Sequence, residues 1–429
     1  MEEEIPGYTI AEAVAEAKRC LNCPKPLCKT GCPIENEIPS FNHALSIGNF
    51  GEAYRIISQK SNLPAVCGRV CPHENQCEGH CVMAKMGKGI KIGRIERFIA
   101  DFFSDNQLNT EKVAPKTEGK VAVIGSGPAG LTVAGDLARK GFNVVVYEGE
   151  SEPGGVLLYG IPDFRLPKEV VRREVKNIEA LGVTFITNTM VGKDITIDQM
   201  FEQGFDAVFI GTGTALAKDL DIPGKDLKGI IQSNYLLRMT RLYRDGNVGA
   251  EEVPVEAGDE VVVIGAGNVA MDACRTAVLM KAKKVTVCYR KTIEFMRAAK
   301  AEYDGALKDG VEFKWEHAPL EYVGENGVVT GLKVSTPEGE KIVPANKILL
   351  AVGSKPAARI ISTTQGIDVD ESGYVKTTDK PYGMSTLKGV FAGGDVVHKP
   401  ATVVLAMKEA KKVAAGIADY IHAKRLLGV

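Results

Sequence analysis

The sequence predicts an α/β protein with a helical head ahead of two doubly wound folds, the second inserted in the first. Three observations carry this. An apolar run followed at once by a glycine-rich turn occurs twice, at Val121–Ile124 and Val261–Ile264, as a strand feeding a helix requires. Eight of the ten cysteines lie between Cys20 and Cys81, ahead of both turns. Two further apolar runs that end in glycine, at 205–211 and 347–353, stand where a chain would leave one fold and return to it.

A chain of 429 residues is too long for one ordinary core and implies two or three domains. Hydrophobic residues make up 45% and charged residues 25%, the balance of a globular protein. The formal net charge of −1 offers no electrostatic footprint for nucleic acid or an anionic membrane. The acidic start, Glu2 to Glu4, is unlike a secretory leader. No apolar run nears the roughly 18 residues that span a bilayer. The expectation is a soluble, cytoplasmic protein whose thiols stay reduced.

Residues 1–110 read as the head. Thr9 and Glu12 form a capping box opening a helix to Arg19. A second helical pattern runs from about Ser40 to Ser58, a third from Gly93 to Phe103, and 106–119 reads as a linker. Residues 120–228 and 351–429 form the first fold, with 229–350 inserted between them. The last helix is expected from about Ala401 to Leu426.

The first turn reads Gly125, Ser126, Gly127, Pro128, Ala129, Gly130. Its glycines permit a tight turn, close approach to a pyrophosphate and close strand–helix packing. The helix N-terminus that follows offers unpaired amides to the phosphates. The next strand ends in Glu148, where a carboxylate accepts hydrogen bonds from a ribose diol.

The second turn is Gly265, Ala266, Gly267, Asn268, Val269, Ala270, with alanine replacing the third glycine. Its following strand ends in Arg290 and Lys291 instead of an acid. Two cations there attract a 2′-phosphate that an acid would repel. Arg297, expected at a helix start, would add a third. The first site is thus shaped for a free ribose and the second for a phosphorylated one; solvated loop charges are the alternative for Arg290 and Lys291.

The cysteines form two groups: Cys20, Cys23, Cys28 and Cys32 before Pro33, then Cys67, Cys71 before Pro72, Cys77 and Cys81. Only one C-x2-C pair occurs, whereas zinc modules usually carry two. Cys-Pro closing a short run is a ferredoxin-like feature. Two 4Fe–4S clusters are the favoured reading, with zinc as the alternative. In two-cluster ferredoxins the last cysteine of a run crosses to the other cluster, so sequence order does not assign ligands.

These segments, together with 154–162, Gly265 to Arg275, Tyr289 to Lys291 and Gly393 to Asp395, closely resemble the small-subunit family of NADPH-dependent glutamate synthase over essentially the whole chain. That family includes the large subunit of NADH-dependent ferredoxin:NADP oxidoreductase (an electron-bifurcating transhydrogenase), sulfide dehydrogenase and the N-terminal part of dihydropyrimidine dehydrogenase. The resemblance implies a helical N-terminal iron–sulfur domain followed by two Rossmann-like dinucleotide-binding domains, the NADP domain inserted in the FAD domain. It implies Cys20, Cys23, Cys28 and Cys81 on one cluster, and Cys32, Cys71, Cys77 and Glu96 on the other, with Cys67 nearby but unligated. It also implies Gly155 in the FAD site, Asp395 at the ribityl or pyrophosphate part, and Ala401 and Thr402 starting a helix aimed at the isoalloxazine. Phe164 to Lys168 looks more like the bifurcating and sulfide-dehydrogenase relatives. Relatives tend to have proline where Arg297 stands and glycine where Ala410 stands.

A nicotinamide yields two electrons as a hydride, and iron–sulfur clusters accept one at a time, so FAD is expected between them. No side-chain acid or base is expected in the hydride step. Cys274 and Cys288 form no C-x2-C pair, so they read as buried apolar residues. The six histidines show no metal spacing, Trp315 reads as packing, and Lys408, Lys411 and Lys412 as a solvated face. Clusters without a terminal acceptor imply a redox partner subunit: that of an electron-bifurcating complex, of glutamate synthase, or of a sulfide or polysulfide reductase. The reading of another class is a nucleotide-sensing structural subunit, whose flavin NADPH would fail to bleach.

Overall fold

The computed structural model describes residue 3, residues 5–106, residue 108 and residues 111–428. Much of the expected linker's start lies outside the described residues. The head holds α1 (Ile10–Lys18), α2 (Leu27–Gly31), α3 (Ile38–Ser46), α4 (Phe50–Ser58), α5 (Pro64–Val70) and α6 (Ile92–Asp105). The Thr9 hydroxyl accepts the Glu12 amide, and the Glu12 carboxylate accepts the Thr9 amide, so the expected capping box forms. The single helix expected over 40–58 is two. Gly48 turns with φ +80°, and the Asn49 side chain accepts the Glu52 amide to start α4. Phe41, Leu45, Ile57 and Ile95 fill the head's core.

The first fold continues through β1 (Lys120–Ile124), α7 (Pro128–Arg139), β2 (Asn143–Tyr147), α8 (Lys168–Glu179), β3 (Thr184–Ile186), α9 (Ile197–Glu202) and β4 (Ala207–Ile210). The second fold carries β5 (Ile230–Gln232), α10 (Ser233–Arg244), β6 (Glu260–Ile264), α11 (Asn268–Leu279), β7 (Lys284–Tyr289), α12 (Lys300–Lys308), β8 (Glu312–Trp315), an antiparallel trio β9 (Ala318–Glu325), β10 (Val328–Thr336) and β11 (Gly339–Pro344), and β12 (Lys347–Leu350). The return adds β13 (Thr377–Asp379), β14 (Tyr382–Ser385), β15 (Val390–Ala392) and α13 (Val403–Leu427).

The first sheet runs β13-β14-β15-β4-β1-β2-β3, and its strands from β15 to β3 are parallel. The second runs β5-β12-β6-β7-β8, all parallel. Both are open Rossmann-type sheets whose strand order reverses beside the strand that enters the glycine turn. The chain divides into two compact units. One holds residues 1–158, 163–215 and the chain from Lys355 onward; the other holds 159–162 and 216–354. Trp315 stacks on Phe313 at 5.5 Å and meets Tyr289 edge-on, an aromatic group that sequence spacing did not suggest. Cys274 and Cys288 are fully buried.

Head and first fold share one unit through specific polar contacts. Asn62 Nδ2 donates to Asp136 at 2.7 Å, and its Oδ1 accepts from Arg139. Lys411 on α13 pairs with the same Asp136 at 2.8 Å, which corrects its reading as a solvated charge. The Glu174 carboxylate on α8 accepts the Ala65 amide at 2.6 Å. Asn62 is 5% exposed, so Asn62→Ala removes two hydrogen bonds to charged side chains, Asp136 and Arg139, and should lower stability by about 2 kcal/mol. A chemical-denaturation midpoint equal to that of the parent protein would contradict this.

Candidate functional site

The first glycine turn sits where β1, β4 and β15 end. The Gly125 amide donates to Tyr147 O, that of Gly211 to Ile124 O, and that of Gly393 to Ile210 O. A Cβ on Gly130 would lie 1.9 Å from Gly125 O, and one on Gly155 would lie 2.8 Å from Gly127 Cα. One on Gly394 would meet Ala129 Cβ at 2.8 Å. The predicted flavin residues Gly125 to Gly130, Gly155 and the Asp395 loop therefore converge on one crevice. Gly127 caps α7 without a side-chain hydrogen bond and faces open space. The free amides of that helix turn fit a phosphate.

Glu148 has a further role that the motif did not reveal. Its Oε2 accepts the Ser126 amide at 3.0 Å and the Ser126 hydroxyl, and its Oε1 accepts the Glu150 amide at 2.9 Å. Ser126 Oγ accepts Gly154 N–H at 2.9 Å. This chain of bonds ties the turn, the end of β2 and the Gly154–Gly155 segment together. Burial raises the Asp395 carboxyl to about 6. Thr402 caps α13, its hydroxyl accepting the Leu405 amide; Ala401 precedes it and the helix starts at Val403, slightly later than expected. Ala410 is fully buried along α13. Lys168, 5% exposed, donates to Leu157 O at 3.1 Å.

In the second unit Gly267 caps α11, again without a side-chain hydrogen bond and facing open space, as a phosphate requires. Asn268 Oδ1 accepts the Ala299 amide at 2.9 Å, so this side chain orders the next loop, and Ala270 is buried behind the turn while Val269 is exposed. Arg290 and Lys291 stand exposed at the end of β7, Lys291 over the Phe295 ring at 4.8 Å. Arg297 does not start a helix. It lies in the loop before α12, where its amide and that of Ala298 donate to Ala266 O at 3.0 and 3.1 Å. Its backbone is thereby anchored beside the turn, and its side chain is exposed.

Cys20, Cys23, Cys28 and Cys81 line one small pocket, with Leu21, Leu27 and Met83. Cys81 thus lies with the first cysteine group in space despite its place in the sequence. Among the described residues no group of three or more His, Cys, Asp or Glu side chains converges on a single-ion point. Burial, then the neighbouring Cys81, Cys20 and Cys23, pushes the Cys28 thiol up to about 11. Four adjacent thiolates therefore call for a cationic centre among them.

Cys32, Cys71 and Cys77 each lie close enough to Glu96 for its charge to raise their thiols. The amides of Asn36 and Ile34 donate to the Cys32 sulfur, in a bend where Glu35 has φ +52°. Glu96 is 8% exposed and has no hydrogen-bond partner among the described residues. Burial, then Glu174, raises its carboxyl to about 8. An interior carboxylate lacking any donor, beside three thiols, fits a metal centre. Nearby, Asn36 Nδ2 and His73 Nε2 are buried without partners. Gly93 makes room for the His73 ring, which a Cβ would meet at 2.3 Å. Cys67, beside this group, is 2% exposed.

Two Rossmann-type folds with phosphate-ready turns, joined to a cysteine-lined head, define an NAD(P)H-dependent flavin oxidoreductase with an iron–sulfur domain. Residues 1–108 match the family described as dihydropyrimidine dehydrogenase domain II, 4Fe-4S cluster, and residues 119–410 match pyridine nucleotide-disulphide oxidoreductase. The chain is 36% identical to the glutamate synthase (NADPH) small chain of Halomonas elongata, covering 96% of this chain and 92% of that one. It is 35% identical to the Escherichia coli small chain, over 97% and 93%. The chain belongs to this glutamate synthase small-chain family, as an FAD- and NADP-dependent iron–sulfur oxidoreductase subunit. Among solved structures, Mycobacterium tuberculosis FprA in complex with NADPH shares the fold at a TM-score of 0.60 and 17% identity, over 72% of this chain and 86% of that one. Lactococcus lactis thioredoxin reductase does so at 0.54 and 22%, over 71% and 99%. Among the described residues no helix is long and apolar enough to cross a membrane.

Proposed function

We propose that this chain exchanges hydride between NADP(H) and FAD and relays single electrons through two 4Fe–4S clusters to or from a partner subunit, as in electron-bifurcating transhydrogenase-type complexes. The observation that carries the relay is a contact between head and flavin fold. Cys67, beside the second cysteine group, meets Met407 on α13 at 3.6 Å, and α13 begins at the flavin crevice. Bound FAD supplies the exchange between paired and single electrons.

The chain's own residues bind and orient. The Gly125–Gly130 turn and the start of α7 take the FAD pyrophosphate, and Ser126 and Glu148 hold that turn in shape. Glu148 Oε1 retains capacity for a ribose hydroxyl. Asp395 lies at the ribityl or pyrophosphate part, where its carboxylate would accept from a ribityl hydroxyl, with Gly155, Ala401 and Thr402 around it. In the second unit Gly265, Gly267, Asn268, Val269 and Ala270 form the nucleotide turn, and Arg290 and Lys291 read the 2′-phosphate. Arg297 is tied to the turn itself. Cys20, Cys23, Cys28 and Cys81 hold one cluster; Cys32, Cys71, Cys77 and Glu96 hold the other.

Replacing Arg290 with glutamate should weaken NADPH binding on the order of 100-fold by losing charge-assisted hydrogen bonds, while NADH changes little. Equal losses measured for the two nucleotides would show that Arg290 does not read the phosphate. A glutamate synthase small subunit is the second reading, favoured by the near full-length match to two such chains. Anaerobic purification from the host, with mass spectrometry of what accompanies the tagged chain, separates the two. A large FMN-containing synthase subunit sinks the bifurcating reading, and a second flavin or ferredoxin-reactive subunit supports it. Flavin that stays oxidised under NADPH would sink both.

A further inference from the structure

Glycine inside a helix is unfavourable relative to alanine, yet the segment from Asn62 to Val70 is seated against its neighbours at two of them. Gly135 lies within α7 and Gly68 within α5. A Cβ on Gly135 would overlap Asn62 Oδ1 and stand 2.9 Å from Asn62 Cγ. One on Gly68 would stand 2.8 Å from Arg97 Cα on α6. Asn62 comes from the head and fills the place that Gly135 leaves. Its Nδ2 donates to Asp136 Oδ1 at 2.7 Å and to Thr132 O at 3.4 Å, and its Oδ1 accepts from Arg139. Thr132, Gly135, Asp136 and Arg139 share one face of α7, at the three- and four-residue spacings of helix neighbours. The Asn62 side chain thus enters a notch with bonded walls and a floor that carries no side chain.

We propose that this notch sets the separation between the flavin fold and the second cysteine group, which makes Asn62 and Gly135 positioning residues for electron transfer. The proposal rests on the reading that electrons pass between FAD and the head. α7 starts at the turn that takes the pyrophosphate, so it is fixed to the cofactor. Asn62 directly precedes the start of α5, which contains Cys67 and ends at Cys71. The Ala65 amide, three residues on, is held by Glu174 of α8 at 2.6 Å. Gly68 then lets α5 lie against the backbone of α6 at Arg97, next in sequence to Glu96. α5 therefore has little freedom on either side: Asn62 fixes it toward the flavin fold and Gly68 toward α6. Electron tunnelling weakens steeply with separation, so a contact without slack protects the transfer rate. A methyl at 135 would press on a side chain that is 5% exposed and bonded to three partners. The head must then shift from α7, or Asn62 must leave the notch and release it.

The test uses anaerobically purified protein replete in iron and flavin, followed by stopped-flow absorbance from both ends. Oxidised protein is mixed with NADPH, and dithionite-reduced protein with NADP⁺, so one direction is downhill whatever the cluster potentials. Flavin absorbance reports the hydride step, and cluster absorbance reports the electrons that move on. Gly135→Ala should keep the parental hydride rate and exchange electrons with the clusters several-fold more slowly. Its flavin and cluster midpoints should be unmoved in a redox titration, which assigns the slowing to separation and not to driving force. Adding Asn62→Ala takes away the atoms that the methyl meets. In that background Gly135→Ala should have little further effect, the non-additivity of two groups in contact. Asn62→Ala alone should slow the same transfer by a smaller factor, and it decides the matter if Gly135→Ala does not fold. A merely structural contact would lower the denaturation midpoint and leave the transfer at the parental rate, which would overturn the proposal. So would a Gly135→Ala effect of full size in the Asn62→Ala background. If the parent's clusters do not respond in either direction while its flavin does, the relay reading fails, and the proposal with it.

Discussion

Gly130→Ala protein is expected to purify without flavin. The added methyl would stand 1.9 Å from Gly125 O and 3.3 Å from Val123 Cγ1. The first partner is main chain, so no side-chain rotation relieves the clash and the turn itself must move. Overpacking of this kind costs about 1–3 kcal/mol even in adaptable cores. Here the displaced groups are the amides that would face the pyrophosphate, so FAD content should fall by about tenfold or more. The second turn carries Ala270 at the corresponding place and accommodates it fully buried. NADP⁺ affinity should therefore survive in the same preparation. Visible absorbance at purification and NADP⁺ titration measure the two quantities separately. A flavin-replete Gly130→Ala protein would mean that the cofactor does not rest on this turn.

The second large effect concerns Cys81. It stands only four positions after Cys77 but lines the cavity of Cys20, Cys23 and Cys28. Cys81→Ala should therefore remove roughly half of the iron, and the surviving EPR signal should match that of Cys28→Ala. Cys77→Ala should leave the complementary signal. If Cys81→Ala and Cys77→Ala lost the same centre, the crossed ligand arrangement would be wrong. If zinc replaced iron in the parent protein, the cluster reading would fail altogether.

Much of this was legible because the signals are local. A strand, a glycine turn and a helix lie consecutively in sequence, so the phosphate-ready turns at Gly125 and Gly265 could be read directly. The Thr9–Glu12 capping box spans a single turn. Distance in sequence is what hid the rest. The Asn62–Asp136, Ala65–Glu174 and Cys67–Met407 contacts join segments that no periodicity connects. The Ser126–Glu148 bond was half visible: an acid at the end of β2 suggests a ribose, whereas a serine inside the turn offers that acid a nearer partner. Gly48 signalled the break between α3 and α4 but was passed over, because the apolar pattern continues on both sides of it. Arg297 was placed by its spacing from Arg290, and only the bonds to Ala266 reveal that the loop folds back onto the turn.

The pairing of β4 with β15 governs how this protein can be made. Val208 sits in register with Val390, and the entire second fold is synthesised between them. At about 5–20 residues per second, roughly 180 residues take about 10–40 s to emerge from a ribosome. Throughout that interval β4 presents an open, fully apolar strand edge, the kind of surface that pairs with the wrong chain. The inserted fold has its own complete sheet and can mature while its host waits. The iron–sulfur head emerges before the inserted fold, yet α13, which packs against it, arrives after it. Nascent chains stalled before Val390 should thus be able to acquire a folded nucleotide unit but have no finished flavin crevice, which makes FAD capture a late event, following synthesis of the inserted fold.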